Sequence, residues 1–362
     1  MVARPRFAAP HRARRVACAA LLGAVLLVAS HAQAPSPGIG HGVAPLPERL
    51  SDTGLHSSGS QGRLRDGVLA FAPQYTLWSD GADKQRWIWL PPGTSIDASQ
   101  PDAWDFPRGT KLWKEFSHAG RRIETRTIER LADGTWRYAA YVWNEAGTEA
   151  QLAPARGVTV HGVTQAPDGR YDVPSRADCT GCHEGAAQPV LGFSALQLSA
   201  DRDPLAAHAS ALASITLDAL AARGLLRNLP SALLEQPPRI VAASPTERAA
   251  LGYLHANCGH CHNGSGNGVP LRLNLAQLAA DGARSRADTL RSTLGVDGRF
   301  RTPALPAHAP LVAPRQPESS VLALRMRSRL TQLQMPPIGT RATDEAGLAL
   351  VERWIRHDTA TP

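Results

Sequence analysis

Two pentapeptides constrain this chain more than any other feature: Cys-Thr-Gly-Cys-His at 179–183 and Cys-Gly-His-Cys-His at 258–262. They use four of the five cysteines, Cys179, Cys182, Cys258 and Cys261, and each pair is followed at once by a histidine. Histidine is 13 of 362 residues, so two such placements by chance are on the order of one in a thousand. The spacing has a chemical purpose. A C-x-x-C turn presents two sulfurs together, placed for thioether bonds to the two vinyl groups of a porphyrin, and the next residue can bring its imidazole beneath the iron. The pattern predicts two covalently attached haem c groups, with His183 and His262 as proximal iron ligands. Zinc held by thiolates, or two disulfides in an oxidising compartment, would also use these cysteines, but neither explains a histidine at the same position twice.

The compartment is read from the other end of the chain. Met1 to Arg15 carries five arginines and no acid, Val16 to Ser30 is an apolar run, and Ala32-Gln33-Ala34 has the small-x-small form of a signal-peptidase site. Residues 1–34 are therefore expected to be a cleaved signal peptide and the mature protein to be periplasmic. The apolar run is too short for a retained membrane span, so no transmembrane segment is expected in the mature chain. Arg14-Arg15 is a pairing common in ordinary export signals, and Cys18 precedes most of the apolar run, the wrong side for a lipoprotein cysteine. Removing the signal lowers the formal charge from +8 to +3. No basic stripe remains to neutralise a phosphate backbone, and nucleic acid is not expected as a partner.

Between signal and motifs the composition changes. Six of the eight tryptophans fall between Trp78 and Trp136, and KQRWIWLP, TKLWKEFS and TWRYAAYVWN read as strands, with a hairpin turning at Asp133-Gly134. Residues 35–175 are expected to form a β-rich domain, sandwich or barrel-like. Residues 176–240 read as a helical segment carrying the first motif, with a Leu217, Leu220, Ala221 stripe stopped at Gly224. Proline-rich stretches at 35–47 and 229–245 look like a tether and a linker. From 241 the pattern is helical again. Ser244, Pro245 and Glu247 form an N-cap, a first-turn proline and a capping box, and Thr343 is the expected cap of a last helix with Leu348, Val351, Trp354 and Ile355 on one stripe. The fold class expected is multidomain α+β.

GYLHANCGHCH, Pro270 in NGVPLRL, PESSVLALRM and MPPIGT give residues 241–362 a resemblance to a class I cytochrome c domain. That resemblance implies an all-α region, His262 as proximal ligand, Met335 as distal ligand, and the Pro270 carbonyl as acceptor for the His262 ring N–H. Met326 reads as core, and His255 and His260 as bystanders: His255 as a cation suited to a helix C-terminus, His260 as a solvent-facing side chain. With LWSDGADKQRWIWLP, FPRGTKLWKEF, IETR, YVWNEAGTEA and VPSRADCTGCH, nearly all of the mature chain resembles a family of bacterial exported dihaem c-type cytochromes.

Opposite His183 no ligand is evident. His161, His208, Met326 or no residue at all are the alternatives. The leading expectation is single-electron transfer to or from a periplasmic donor or acceptor protein. A dihaem peroxidase or other oxidoreductase using an open first haem is the enzyme alternative, and a ligand-binding β module with a redox tail is the third. Asp80, Asp83 and Lys84 beside Trp78, and Glu145 and Glu149 near Trp143, are expected to be solvated or to support the fold rather than to form an acid or metal site.

Overall fold

Aromatic and aliphatic residues that favour strands recur in DKQRWIW, KLWKEFSH and WRYAAYVW, and in an extended chain successive side chains go to opposite faces. The computed structural model describes residues 44–57, 62–210, 214–264, 269, 271–303 and 305–359. The expected signal peptide, residues 35–43 of the tether and Pro270 lie outside these. In chain order the strands of the first half are β1 (Leu69–Ala70), β2 (Asp83–Trp89), β3 (Ile96–Asp97), β4 (Lys111–His118), β5 (Arg121–Arg130), β6 (Trp136–Trp143), β7 (Ala150–Leu152), β8 (Val158–His161) and β9 (Arg170–Val173).

Six of them form one antiparallel sheet in the order β1-β2-β4-β5-β6-β7. The β4–β5 turn places Ala119 and Gly120 at φ 46° and 80°, the left-handed pair that a two-residue hairpin demands. The β5–β6 hairpin turns at Asp133-Gly134 as expected, with the Asp133 carboxylate accepting from the Thr135 N–H at 2.8 Å. On one face the register aligns Ile88, Leu112, Ile128 and Tyr138, and the adjacent row is Arg86, Lys114, Arg126 and Ala140. On the other face Trp87, Trp113, Tyr141 and Trp143 are buried under Leu50 and Leu55.

The expected sandwich or barrel is corrected by this arrangement. The sheet is open, with β1 and β7 at its edges, and its second layer is not a sheet of similar size. Residues 190–198, with Val190, Phe193 and Leu198, and the β8–β9 hairpin, with Tyr171 and Val173, cover one face instead. Irregular apolar segments bury a sheet face as well as strands do, provided their backbone groups find partners.

The second half is helical: α1 (Arg176–His183), α2 (Leu217–Ala222), the short β10 (Leu226–Arg227), α3 (Ala232–Glu235), α4 (Pro245–Asn257), α5 (Gly282–Thr293), α6 (Val321–Arg327) and α7 (Glu345–Asp358). Ser244 caps α4 by accepting from Glu247 N–H at 3.0 Å, while the Glu247 carboxylate accepts from Ala243 N–H and pairs with Arg286. Helix α7 is capped one residue later than expected: Asp344, not Thr343, accepts from Gly347 N–H at 2.9 Å. The α4 and α7 stripes meet in a core containing Leu251, Leu254, Val351 and Trp354.

The two halves do not separate into independent bodies, since residues 44–362 form one compact unit. Tyr75, from the segment leading into β2, lies in the α4–α7 core. It packs so closely on α4 that a Cβ at Gly252 would overlap its ring. The architecture is a mixed α+β fold. Among the described residues no helix is long and apolar enough to cross a membrane.

Candidate functional site

The first motif is carried by α1, whose start is fixed by a capping box: Ser175 accepts from Asp178 N–H at 3.1 Å, and the Asp178 carboxylate accepts from Ser175 N–H at 2.9 Å. The helix places Cys179 and Cys182 one turn apart and ends on His183. Here the imidazole is held in one orientation. Its Nδ1 lies 2.6 Å from the Pro189 carbonyl oxygen, and the Tyr138 ring packs against it with centroids 5.3 Å apart. A carbonyl only accepts, so Nδ1 carries the proton and Nε2 presents its lone pair. Burial holds the ring's pKa down at about 4, with Lys114 and Arg126 adding to the effect against the Pro189 bond. A neutral imidazole with Nδ1–H donated to a carbonyl is the form that ligates a metal through Nε2.

The second motif begins where α4 stops. Cys258 N–H still donates to Leu254 at 2.9 Å, and Cys261 and His262 N–H groups both turn back to the Cys258 carbonyl at 3.1 and 2.8 Å. Gly259 is needed in this turn, because a Cβ there would stand 2.7 Å from the His255 carbonyl oxygen. His262 Nδ1 is buried without a hydrogen-bond partner among the described residues; the acceptor expected for it, Pro270, lies outside them.

Two expectations about neighbouring histidines are corrected. His255 is not a helix-terminal cation: its Nδ1 accepts from Gln277 N–H at 3.0 Å, and burial lowers its pKa to about 4. His260 does not face solvent. It is half-buried, and burial followed by the charges of His262 and Lys114 lowers it to about 4.

Met335 lines a narrow, solvent-open cleft whose wall also includes Cys258, Met326, Tyr253 and Trp78. Its loop is held from two sides. Met335 N–H donates to the Arg325 carbonyl at 3.0 Å, and the Gln334 side-chain amide donates to the carbonyls of Pro336 and Pro337 at 3.3 and 3.2 Å. From the sheet half, the Asp80 carboxylate accepts from Arg341 and Ala342 N–H at 2.9 Å, and Trp78 N–H donates to Asn257 Oδ1 at 2.7 Å. The acid cluster beside Trp78 thus includes a backbone anchor for the methionine loop, a role that sequence spacing does not reveal.

The structure brings the two motifs together, although 78 positions separate Gly185 from Asn263 in the chain: the Asn263 amide donates to the Gly185 carbonyl at 2.7 Å. Among the charges acting on Cys182, Cys261 has the largest influence, and it adds to burial in pushing the Cys182 thiol to about 11. The candidates for a ligand opposite His183 are engaged elsewhere. His161 is exposed on β8, His208 Nε2 is bound to Asp344 at 2.8 Å, and Met326 lines the cavity with Met335.

No disulfide joins any two of the four motif cysteines. Among the described residues no three His, Cys, Asp or Glu side chains are grouped to hold a metal ion, which is the arrangement a thiolate zinc site requires. A haem makes a different demand, two thiols at the porphyrin edge and an imidazole on one face of the iron, and each motif carries those residue types. Compared with protein-family models, with curated proteins and with solved structures, the chain finds no match.

Proposed function

We propose that this chain is an exported dihaem c-type cytochrome that passes single electrons to or from a periplasmic donor or acceptor protein. The observation that carries the reading is His183: a neutral ring at the end of a C-x-x-C-H helix, its Nδ1–H committed to Pro189 and its Nε2 left with a free lone pair. Haem iron, once attached, supplies the one-electron couple. Cys179 and Cys182, then Cys258 and Cys261, are the thioether donors, and His183 and His262 the proximal ligands. Met335 shares a cavity wall with Cys258, which supports it as the distal ligand of the second haem. In this reading residues 241–362 are the class I-like cytochrome c region, residues 176–240 carry the first haem, and residues 35–175 are the β-rich region, whose strand β6 packs against α1. Keeping the two motifs adjacent shortens the electron path from one centre to the other.

The test is to produce the full-length protein in a host with c-type maturation machinery and record the pyridine haemochrome of the denatured chain. Two haems retained per chain are expected, and none retained would overturn the proposal. In the native oxidised protein, two low-spin haems and no peroxide consumption are expected of a carrier. A high-spin haem with peroxide turnover would replace the carrier reading with that of an oxidoreductase.

A further inference from the structure

The cation row on the sheet is unexplained by the fold. Arg86, Lys114 and Arg126 stand directly opposite one another on β2, β4 and β5, and Lys84 is in the next row. Like charges across strands repel, and the repulsion grows away from water. Arg86 is only 7% exposed and forms no ion pair among the described residues. Lys114 lies over the Phe116 ring at 4.8 Å, and its pKa is pushed well below the ordinary value by burial and then by Arg86, Arg126 and Lys84.

The nearby carboxylates do not balance this charge. Glu124, fully buried, is already bidentate to Arg126 at 2.8 and 2.9 Å and accepts from the Tyr171 hydroxyl at 2.7 Å. Asp83 and Asp344 act on Lys84. Among the described residues Arg86 is left as a buried positive charge without an ion-pair partner, and the half-buried Lys114 beside it has none either, an arrangement that protein folds avoid unless an anion is supplied.

The position of the row says which anion. Helix α1 packs against β6, and the row runs away from it across β5, β4 and β2. Arg126 acts electrostatically on Cys179, Cys182 and His183, and Lys114 on His183 and His260. Lys114 and Arg86 lie two and three strand spacings from β6, about 10 and 14 Å. A porphyrin joined to the chain at its vinyl edge carries its two carboxylates on the opposite edge.

We infer that Arg86 and Lys114, with Arg126 beside them, form a binding floor for the propionate carboxylates of the haem attached to α1, so that the sheet serves as that haem's electrostatic seat. The inference rests on the dihaem reading above.

Charge-removing variants of the haem-loaded full-length protein test it, read by spectroelectrochemical titration and by the propionate bending band in resonance Raman spectra. Removing a nearby positive charge favours the oxidised centre. Lys114→Gln and Arg86→Gln are each expected to lower the midpoint potential of one haem, leave the other unchanged and shift the propionate band; Lys114→Arg is expected to do neither. With both haems attached, unchanged potentials and an unchanged band in both Gln variants would overturn this inference alone, whereas a chain that attaches no haem would overturn the dihaem reading itself. Titrating the unmutated protein with sodium acetate or inorganic phosphate tests the other source of an anion. No Soret response is expected, and a saturable shift would assign the floor to a free anion instead. That titration requires no variant, so the inference can fail even if a substitution prevents folding.

Discussion

His255 shows how much a single ring contributes when it must stay neutral. Its Nδ1 accepts from Gln277 N–H, and its pKa lies near 4 against an ordinary 6.5. A histidine with a lowered folded-state pKa contributes stability that is present above the ordinary value and lost as pH falls toward the folded one. Thermal midpoints of the unmutated chain are therefore expected to fall between about pH 6.5 and about 4, and His255→Gln to flatten that fall; an unchanged profile in the variant would show that the ring does not titrate on unfolding. Other buried histidines, His118 among them, leave part of the dependence in place. At this scale the sequence was legible for residues whose role is local. The motif cysteines and histidines could be singled out from spacing alone, whereas the neutrality of His255 depends on Gln277, twenty-two positions away, and on burial, which spacing does not encode. The same holds for Asp80, whose partners are 261 and 262 positions distant.

At the scale of elements, caps and close approaches decide where helices begin and how they meet. Ser175→Ala removes one arm of the α1 capping box and is expected to cost about 1 kcal/mol in a denaturant titration. Asp80→Ala leaves the Arg341 and Ala342 N–H groups without their carboxylate and is expected to cost about 1–3 kcal/mol. In the haem-loaded protein proposed above it is also expected to weaken the charge-transfer band that marks methionine ligation, because the same loop carries Met335; a full-strength band would separate the anchor from the proposed ligand. Gly252→Ala drives a methyl group into the Tyr75 ring and is expected to lower stability by about 1–3 kcal/mol, with partial recovery when Tyr75 is also replaced by leucine. Helix caps and the Asp133-Gly134 turn could be read in advance because their signals are contained within a few residues. The single sheet could not be told from a sandwich, since residues 190–198 cover it without any strand period to announce them. Nor could the cation row be seen before the strand register aligned positions 86, 114 and 126.

For the whole molecule, the shared core makes folding a joint undertaking of sheet and helices. Tyr75 and Leu196 complete the cluster around Leu251 and Trp354, so residues 241–362 produced alone lack part of their own core. Scanning calorimetry of the full chain is expected to show one cooperative transition, and the fragment none comparable; a fragment melting as sharply and as high would show that the halves fold independently. The meeting of the two motifs at Asn263 and Gly185 was beyond sequence reading, because it depends on how long-range packing closes rather than on any local pattern. It has a consequence for the order of events in the life of the protein. Cys179 is buried and Cys258 half-buried, and burial, with Cys261 adding to it, pushes the Cys258 thiol up to about 12, so in the folded chain these sulfurs are held largely protonated, poor reactants for forming a thioether. On the dihaem reading proposed above, this gives assembly a direction: the thioether bonds are expected to form while the chain is still open, before the sheet closes over the helices.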